Sequence, residues 1–146
     1  MLALKLTSTR KMQVEDITRY CLNKNKSYID YPFGDIPICF KVNKKIFAQL
    51  YPLENDYKIT LKCDVLLAEL YRQQYKDIVV RGYHCPPVQA IHFNTIYINK
   101  IPDEILYEMI DHSYNEVVNS FSKKVQKEIL GEENEKKLYR YFKRNT

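Results

Sequence analysis

The amino-acid sequence predicts an α+β domain with a two-layer sandwich architecture, in which helices cover one face of an antiparallel sheet. The predicted element order is α-β-β-β-α-β-β-α plus a C-terminal helix. Apolar residues recur every three or four positions in some stretches and every second position in others, which separates helices from strands. Several predicted strands follow one another directly, and short turns between them favour antiparallel pairing. With 146 residues, 45% of them apolar, the chain is long enough to bury one hydrophobic core.

The predicted order opens with a helix and a loop. Val14, Ile17 and Cys21 repeat at helical spacing within residues 12–24, which predicts the first helix. The following segment, residues 28–34, contains three aromatic residues together with proline and glycine. Such a composition favours an ordered loop over a flexible linker.

Three strands are predicted next. Residues 38–42 and 45–51 alternate in side-chain character, and Asn43-Lys44 supplies a tight turn between them. Pro52 is expected to end the second strand, because proline has no N–H to donate to a neighbouring strand. In the third strand, residues 57–63, the apolar side chains share one face. The opposite, solvated face is predicted to carry Lys58, Thr60 and Lys62.

A second helix is predicted over residues 65–75, with Asp64 as its N-cap. The segment 83–87 contains Pro86-Pro87, which favours an extended or looped path before a last strand over residues 92–98. The buried face of the second helix is predicted to contain Leu66, Leu67, Leu70, Tyr71 and Gln74.

A long helix is predicted to begin at Pro102, where the missing N–H of proline costs nothing. Gly131 is expected to end or kink it, and residues 132–146 are predicted to form a short amphipathic helix. The buried face of the long helix is predicted to contain Leu106, Ile110, Ser113 or Tyr114, Val117 and Phe121.

The charge of the chain divides unevenly along its length. The net charge is +5, yet residues 12–119 hold twelve basic and fourteen acidic side chains. Residues 1–11 hold three basic side chains and no acidic ones, and residues 120–146 hold eight basic and four acidic ones. The sequence therefore predicts a near-neutral domain over 12–119, a basic N-terminal extension over 1–11 and a helical basic C-terminal extension over 120–146.

Composition excludes several classes of protein. The three glycines are isolated from one another, so a glycine-rich phosphate loop is absent. Lys5 interrupts the N-terminus before an apolar run of signal-peptide length, and prolines interrupt the longest uncharged stretch, residues 82–99. We therefore expect a cytoplasmic protein with no membrane partner. The four cysteines form no C-x-x-C pair and are expected to be reduced thiols.

Side chains with catalytic or metal-binding chemistry are present, but their spacing matches neither a known metal site nor a catalytic pair. His84, Cys85 and His92 could in principle bind zinc, although the H-x7-H spacing matches no structural zinc pattern. Loop histidines bonded to backbone carbonyls are the favoured interpretation. The pairs Cys85 with His84 and Ser113 with His112 are adjacent in sequence, and adjacent side chains do not face each other. We predict no catalytic residue, no metal and no cofactor.

Nucleic-acid binding requires basic side chains that meet phosphates and aromatic ones that stack on bases. The alternative interpretation is that the same lysines solvate the wet face of an antiparallel sheet and protect its edges. From these residues alone, solvation of the sheet face is favoured over nucleic-acid binding. The candidate nucleic-acid contacts are Lys41, Lys45, Lys58, Lys62, Arg81, Tyr83 and His84.

Several short segments between residues 12 and 118 together resemble the MmcQ/YjbR family of small bacterial proteins. The best-matching positions are Tyr31, Pro32, Phe33, Gly34, Gly82, Tyr83, His84, His92, Asn94 and Thr95. The other matching segments are Tyr20-Cys21-Leu22, Phe40-Lys41-Val42 followed by Phe47-Ala48, Leu61-Lys62-Cys63-Asp64, Pro102-Asp103-Glu104 and Ile110-Asp111-His112-Ser113-Tyr114.

The resemblance implies a fold similar to CyaY-like or secretion-chaperone-like two-layer domains, and a family usually described as DNA-binding. Two hypotheses follow. The first is a non-enzymatic module that binds double-stranded DNA through the sheet lysines and the basic terminal segments. The second is a protein-interaction or chaperone-like module that uses the sheet face and the terminal helix. An enzyme with His84 and His92 at a pocket ranks third.

Overall fold

A computed structural model describes residues 12–131 and residue 143. Its sheet has six strands in the order β1-β2-β3-β4-β6-β5, and every neighbouring pair is antiparallel. Residues 123–131 form a further helix, α5. In chain order the other elements are α1 (Val14–Leu22), β1 (Ser27–Asp30), β2 (Ile38–Val42), β3 (Lys45–Leu53), β4 (Asp56–Lys62), α2 (Val65–Gln74), β5 (Val79–Arg81), α3 (Pro87–Ala90), β6 (Phe93–Tyr97), a 3₁₀ turn (Ile98–Lys100) and α4 (Asp103–Asn119).

This architecture confirms the predicted α+β class. None of the helices in the described part of the chain is long and apolar enough to cross a membrane. The predicted basic segment 1–11 and the predicted helix over 132–146 lie outside the described residues, except that residue 143 is helical.

The hydrophobic core lies between one face of the sheet and the helices, with Ile17, Leu106 and Ile110 among its fully buried side chains. A β-bulge shapes this core. Phe40 pairs with Ala48 but Lys41 pairs with Ile46, so Phe47 is an extra residue in β3. A bulge breaks strict alternation, and Phe47 and Ala48 are consequently both buried on the core side.

Ser113 joins α4 to the sheet. Its hydroxyl donates to the carbonyl oxygen of Phe47 at 2.5 Å and accepts from the backbone N–H of Lys62 at 2.9 Å. The side chain is fully buried, so these bonds satisfy backbone groups that water does not reach. This contact fixes the position of α4 over β3 and β4.

Two predictions for the first half of the chain are wrong. Residues 27–30 form strand β1 rather than the start of a loop, because they pair with β2 and Asp30 accepts a hydrogen bond from Lys41 Nζ at 2.6 Å. Pro52 lies within β3 instead of ending it. It pairs with Tyr57 of β4 beyond the point where β2 stops opposite Leu50, so no strand requires the missing N–H.

The prediction for the buried face of α2 is confirmed for Tyr71, which is buried, and for Leu67, which packs against the core. It is wrong for the other three residues, since Leu66 is 76% exposed, Leu70 is 58% exposed and Gln74 is exposed, whereas Ala68 faces the core. Polar contacts set this rotation. The Tyr71 hydroxyl donates to Glu108 of α4 at 2.6 Å, and the Asn94 side-chain amide donates to the Ala68 carbonyl at 3.3 Å. The predicted N-cap is confirmed, since the Asp64 carboxylate accepts from the N–H of Leu67.

The predicted end of the long helix and the path around the two prolines also require correction. Helix α4 ends at Asn119 rather than near Gly131, and α5 begins after Ser122, whose hydroxyl accepts from the N–H of Val125. Ser120 terminates α4 by donating its hydroxyl to the Val117 carbonyl at 2.6 Å. Pro87 begins the single-turn helix α3 instead of an extended segment, because proline fits the first helical position.

Alkaline pH is expected to destabilise the fold. Burial raises the pKa of the Cys21 and Cys63 thiols to about 12 and that of Cys39 to about 11, from an ordinary value of 9.0. The unfolded chain therefore loses these protons first, so stability is full below pH 9.0 and falls progressively above it. Denaturant unfolding at a series of pH values between neutral and strongly alkaline measures this loss. Unchanged stability across the alkaline range contradicts it.

Candidate functional site

The structure does not bring the predicted nucleic-acid contacts together. Lys41 pairs with Asp30, and Lys45 lies on the helical side of the sheet, with Nζ 5.0 Å from the centre of the Phe121 ring. Arg81 lies on the edge strand β5. Lys62 is half-buried at the end of β4. Tyr83 and His84 both line a cleft on the face of the sheet opposite α1, α2 and α4, which we call the outer face.

The outer face is not the solvated surface that the alternation of β4 predicts. Lys58 is only 2% exposed and Thr60 is equally buried, because residues 31–37 and 82–90 cover this face of the sheet. Lys58 Nζ lies 3.7 Å from the centre of the Tyr83 ring and 5.4 Å from that of Tyr51, and it donates to the Asp56 carboxylate. Lys58 is therefore held in an aromatic cage and is not available to the phosphates of a large polyanion such as DNA.

Polar contacts and one glycine position the segment 82–84 over the sheet. The backbone N–H of Tyr83 donates to the Thr95 hydroxyl at 2.8 Å, and that hydroxyl also contacts the Thr60 hydroxyl at 2.7 Å. A Cβ atom on Gly82 would lie 2.7 Å from Cβ of Phe93, closer than any side chain tolerates. The backbone therefore comes this close to β6 only with glycine at position 82.

The covering segments and the sheet enclose a cavity of about 630 Å³, which we call the sheet-face cleft. Phe33, Tyr83 and His84, three of the positions that carry the family resemblance, line it. Lys58 is the one lysine or arginine among its lining residues, and none of them is acidic. The cleft is lined by Phe33, Ile36, Pro37, Gln49, Tyr51, Leu53, Lys58, Tyr83, His84, Cys85, Pro86, Gln89 and Phe93.

The remaining family positions lie outside the lining of the cleft, and two of them have clear structural roles. Asn94 is buried and accepts from Arg72 at 2.6 Å, and Gly34 has a φ of 108°, which favours glycine. His92 is exposed and its backbone, rather than its ring, accepts from Cys63. Tyr31 and Pro32 are exposed in the loop that precedes Phe33. In the described part of the chain, no group of three or more His, Cys, Asp or Glu side chains is arranged to hold a metal ion.

A larger cavity of about 780 Å³ lies between α2 and α4. Four of its polar side chains already form two pairs, since Tyr71 donates to Glu108 and Lys24 donates to Asp111. Glu104 and Glu116 add further negative charge to its lining. This cavity is therefore unsuited to an anionic partner.

Three separate segments that carry exposed lysines contact one another at one end of the fold. Lys45 Nζ lies 3.2 Å from Ser120 Oγ, so the first residue of β3 contacts the connection between α4 and α5. The Asn25 amide donates to the Leu130 carbonyl at 3.4 Å, so the α1–β1 turn contacts α5 at Leu130. Within residues 23–28, 43–46 and 120–131, Glu128 is the single carboxylate. We call the six exposed lysines the lysine corner: Lys26, Lys44, Lys45, Lys123, Lys124 and Lys127.

Of these six lysines, only Lys45 is named individually among the contacts predicted from the sequence, and Lys123, Lys124 and Lys127 are included only as part of the basic C-terminal extension. The other five belong to turns and a helix that are far apart along the chain, so no local pattern joins them. The excess of basic side chains over residues 120–146 was the available signal for Lys123, Lys124 and Lys127. For Lys26 and Lys44 the sequence holds no signal beyond their charge, and only tertiary contacts place them beside α5.

Comparison with known proteins matches the YjbR family model over residues 22–116. The uncharacterized protein YjbR of Escherichia coli strain K12 is 28% identical over 124 residues, covering 82% of this chain and 98% of that protein. The uncharacterized protein YbdF of Escherichia coli O157:H7 is 32% identical over 100 residues, covering 68% of this chain and 79% of that protein.

Two solved structures resemble the fold. Deinococcus radiodurans protein DR2400, a DUF419 domain, superposes with a TM-score of 0.74 and 26% identity, covering 83% of this chain and 89% of that one. A protein from Pseudomonas syringae gives a TM-score of 0.57 at 22% identity, covers 70% of this chain and 96% of that one, and supports the fold alone. The family model spans the whole sheet and most of α4, and on this evidence the chain belongs to the YjbR family.

Proposed function

We propose that the protein is a non-enzymatic module that binds double-stranded DNA through the lysine corner. The observation that carries this proposal is the contact between three segments that together hold six exposed lysines and one carboxylate. Exposed lysines gain affinity by displacing the counterions that surround DNA phosphates. A cluster of this kind provides a local positive surface that the net charge of +5 does not locate.

The start of α5 adds to this surface. The first N–H groups of a helix lack partners within the helix, and the helix dipole places partial positive charge there. Lys45 contacts Ser120 and Phe121, immediately before α5, and Lys123 and Lys124 lie in its first turn. A DNA phosphate at this position would meet backbone N–H groups and lysine side chains together.

A salt titration tests DNA binding by the intact chain. Fluorescence anisotropy with a labelled duplex is expected to show binding at about 50 mM salt. If five lysines contact phosphates, a plot of the logarithm of affinity against the logarithm of salt concentration should have a slope of roughly −4 to −5. Two duplexes of unrelated sequence are expected to bind with similar affinity, because phosphate contacts carry no sequence information. Absence of binding at low salt, or an affinity that does not depend on salt, contradicts the proposal.

A protein partner is the second candidate, and the exposed apolar side chains of α2 favour it. Leu66 and Leu70 are four residues apart on one exposed helical face, and Val88 of α3 is also exposed. Apolar side chains that share one exposed face are typical of interaction surfaces. A pull-down compared between the native chain and a Leu66→Gln, Leu70→Gln variant tests this candidate. Loss of a stoichiometric protein in the variant supports it, and an unchanged set of captured proteins contradicts it.

A further inference from the structure

We propose that the sheet-face cleft binds a small organic carboxylate with an aromatic or aliphatic body. This site is separate from the lysine corner and does not depend on DNA binding. The inference rests on the cage around Lys58, on the apolar walls of the cleft and on the absence of acidic residues among those that line it.

Lys58 supplies the charge that selects an anion. It is 2% exposed and lines the cleft, which places it on the cleft floor. Its ammonium group has three N–H donors, and the structure assigns one acceptor to it, the Asp56 carboxylate. The rings of Tyr83 and Tyr51 stabilise the positive charge through their faces and accept no conventional hydrogen bond there. A ligand carboxylate would therefore meet a preorganised donor.

The apolar walls of the cleft favour a ligand whose body, apart from its carboxylate, is apolar. Phe33 is 64% exposed, and Ile36 and Tyr83 are also exposed, so apolar surface remains open to an occupant. Pro37 and Pro86 add rigid apolar surface. A cavity of about 630 Å³ falls within the usual range of small-molecule sites. Burying an apolar ligand against these side chains is favourable because it removes both surfaces from water.

Gln49 and His84 provide further polar groups in the same cleft. They are able to orient a carboxylate but do not distinguish it from an amide, because both bond to neutral and charged oxygen atoms. Discrimination between an acid and its amide therefore depends on Lys58. A cationic ligand of the same shape is disfavoured, since it would lie beside the ammonium group without a carboxylate partner in the cleft lining.

The test uses two probes of equal shape, 3-phenylpropionate and its neutral amide 3-phenylpropanamide. In chemical-shift titrations of the full chain, the acid is expected to shift backbone signals of residues 33–37, 49–51 and 82–86 and to bind about tenfold more tightly than the amide, as a charge-assisted hydrogen bond requires. Equal affinity for the two probes, shifts that map outside the cleft, or no binding of the acid overturns the proposal.

Lys58→Met is expected to remove the preference for the acid, whereas Lys62→Met, a change on the same strand and face outside the cleft lining, should leave it intact. Phe33→Ala is expected to lower the affinity for both probes equally, because it removes only an apolar contact. Cys85 offers a further readout, since it lines the cleft and is the one cysteine of the four that is not fully buried. Saturating acid should slow its alkylation by iodoacetamide, and an unchanged rate contradicts occupancy of the cleft even if Lys58→Met does not fold.

Discussion

Replacing Lys44, Lys45, Lys123 and Lys124 with glutamine is expected to lower the affinity for duplex DNA about 100-fold at low salt, because each lysine that meets a phosphate releases counterions. The slope of log affinity against log salt should become less steep by roughly one for each lysine that contacts a phosphate. All four side chains are exposed, so their replacement removes charge without opening the core. Anisotropy titrations at several salt concentrations measure both quantities.

The matched control removes the same amount of charge elsewhere. Arg19, Lys76, Arg81 and Lys100 are exposed and lie outside the three segments of the lysine corner. Their replacement by glutamine changes the net charge equally, and it includes Arg81, one of the contacts expected from the sequence. We expect this control to retain most of the affinity and nearly the full salt slope. Equal losses in the two variants would mean that overall charge, rather than the lysine corner, drives association.

Sequence patterns predict the class of this fold because its elements are regular where they contact the core. The spacing of Ile17 and Cys21 in α1 and of Leu106 and Ile110 in α4 identifies the side chains that are buried. The Asn43-Lys44 turn was also predicted, and both residues adopt positive φ angles there. Local signals of this kind act over a few residues, so the structure they predict does not depend on contacts with distant parts of the chain.

Features that depend on distant segments were not predictable in the same way. Alternation places Lys58 on a solvated face, but Tyr51 and Tyr83 cover it, and Tyr83 is 25 positions away in sequence. Leu66 and Leu70 repeat at helical spacing, yet polar contacts of Tyr71 and Ala68 turn them toward solvent. The same reason explains why the sequence does not predict the two candidate sites. Both the lysine corner and the sheet-face cleft are built by tertiary contacts between turns that no periodic pattern connects.

Phe47→Ala is expected to destabilise the fold by about 3–5 kcal/mol, the usual cost of removing a buried aromatic side chain. Phe47 is 1% exposed, and its ring lies 6.4 Å from that of Phe40 and 5.2 Å, edge to face, from that of Tyr114. The bulge turns it into the core beside Ala48, so truncation leaves a cavity between β3 and α4. Urea unfolding at neutral pH measures the loss as a lower midpoint at unchanged slope.

Phe33→Ala is the control for this prediction, because it removes the same side chain from a position that is 64% exposed. We expect the control to change stability by no more than about 0.5 kcal/mol, as is usual for exposed positions. The backbone of Phe47 also accepts the Ser113 hydrogen bond, and alanine at position 47 keeps that carbonyl. The difference between the two variants therefore reports the packing of the ring alone. A similar loss in both would contradict burial of Phe47 at the bulge, and with it the register that places Lys45 and the lysine corner beside α5.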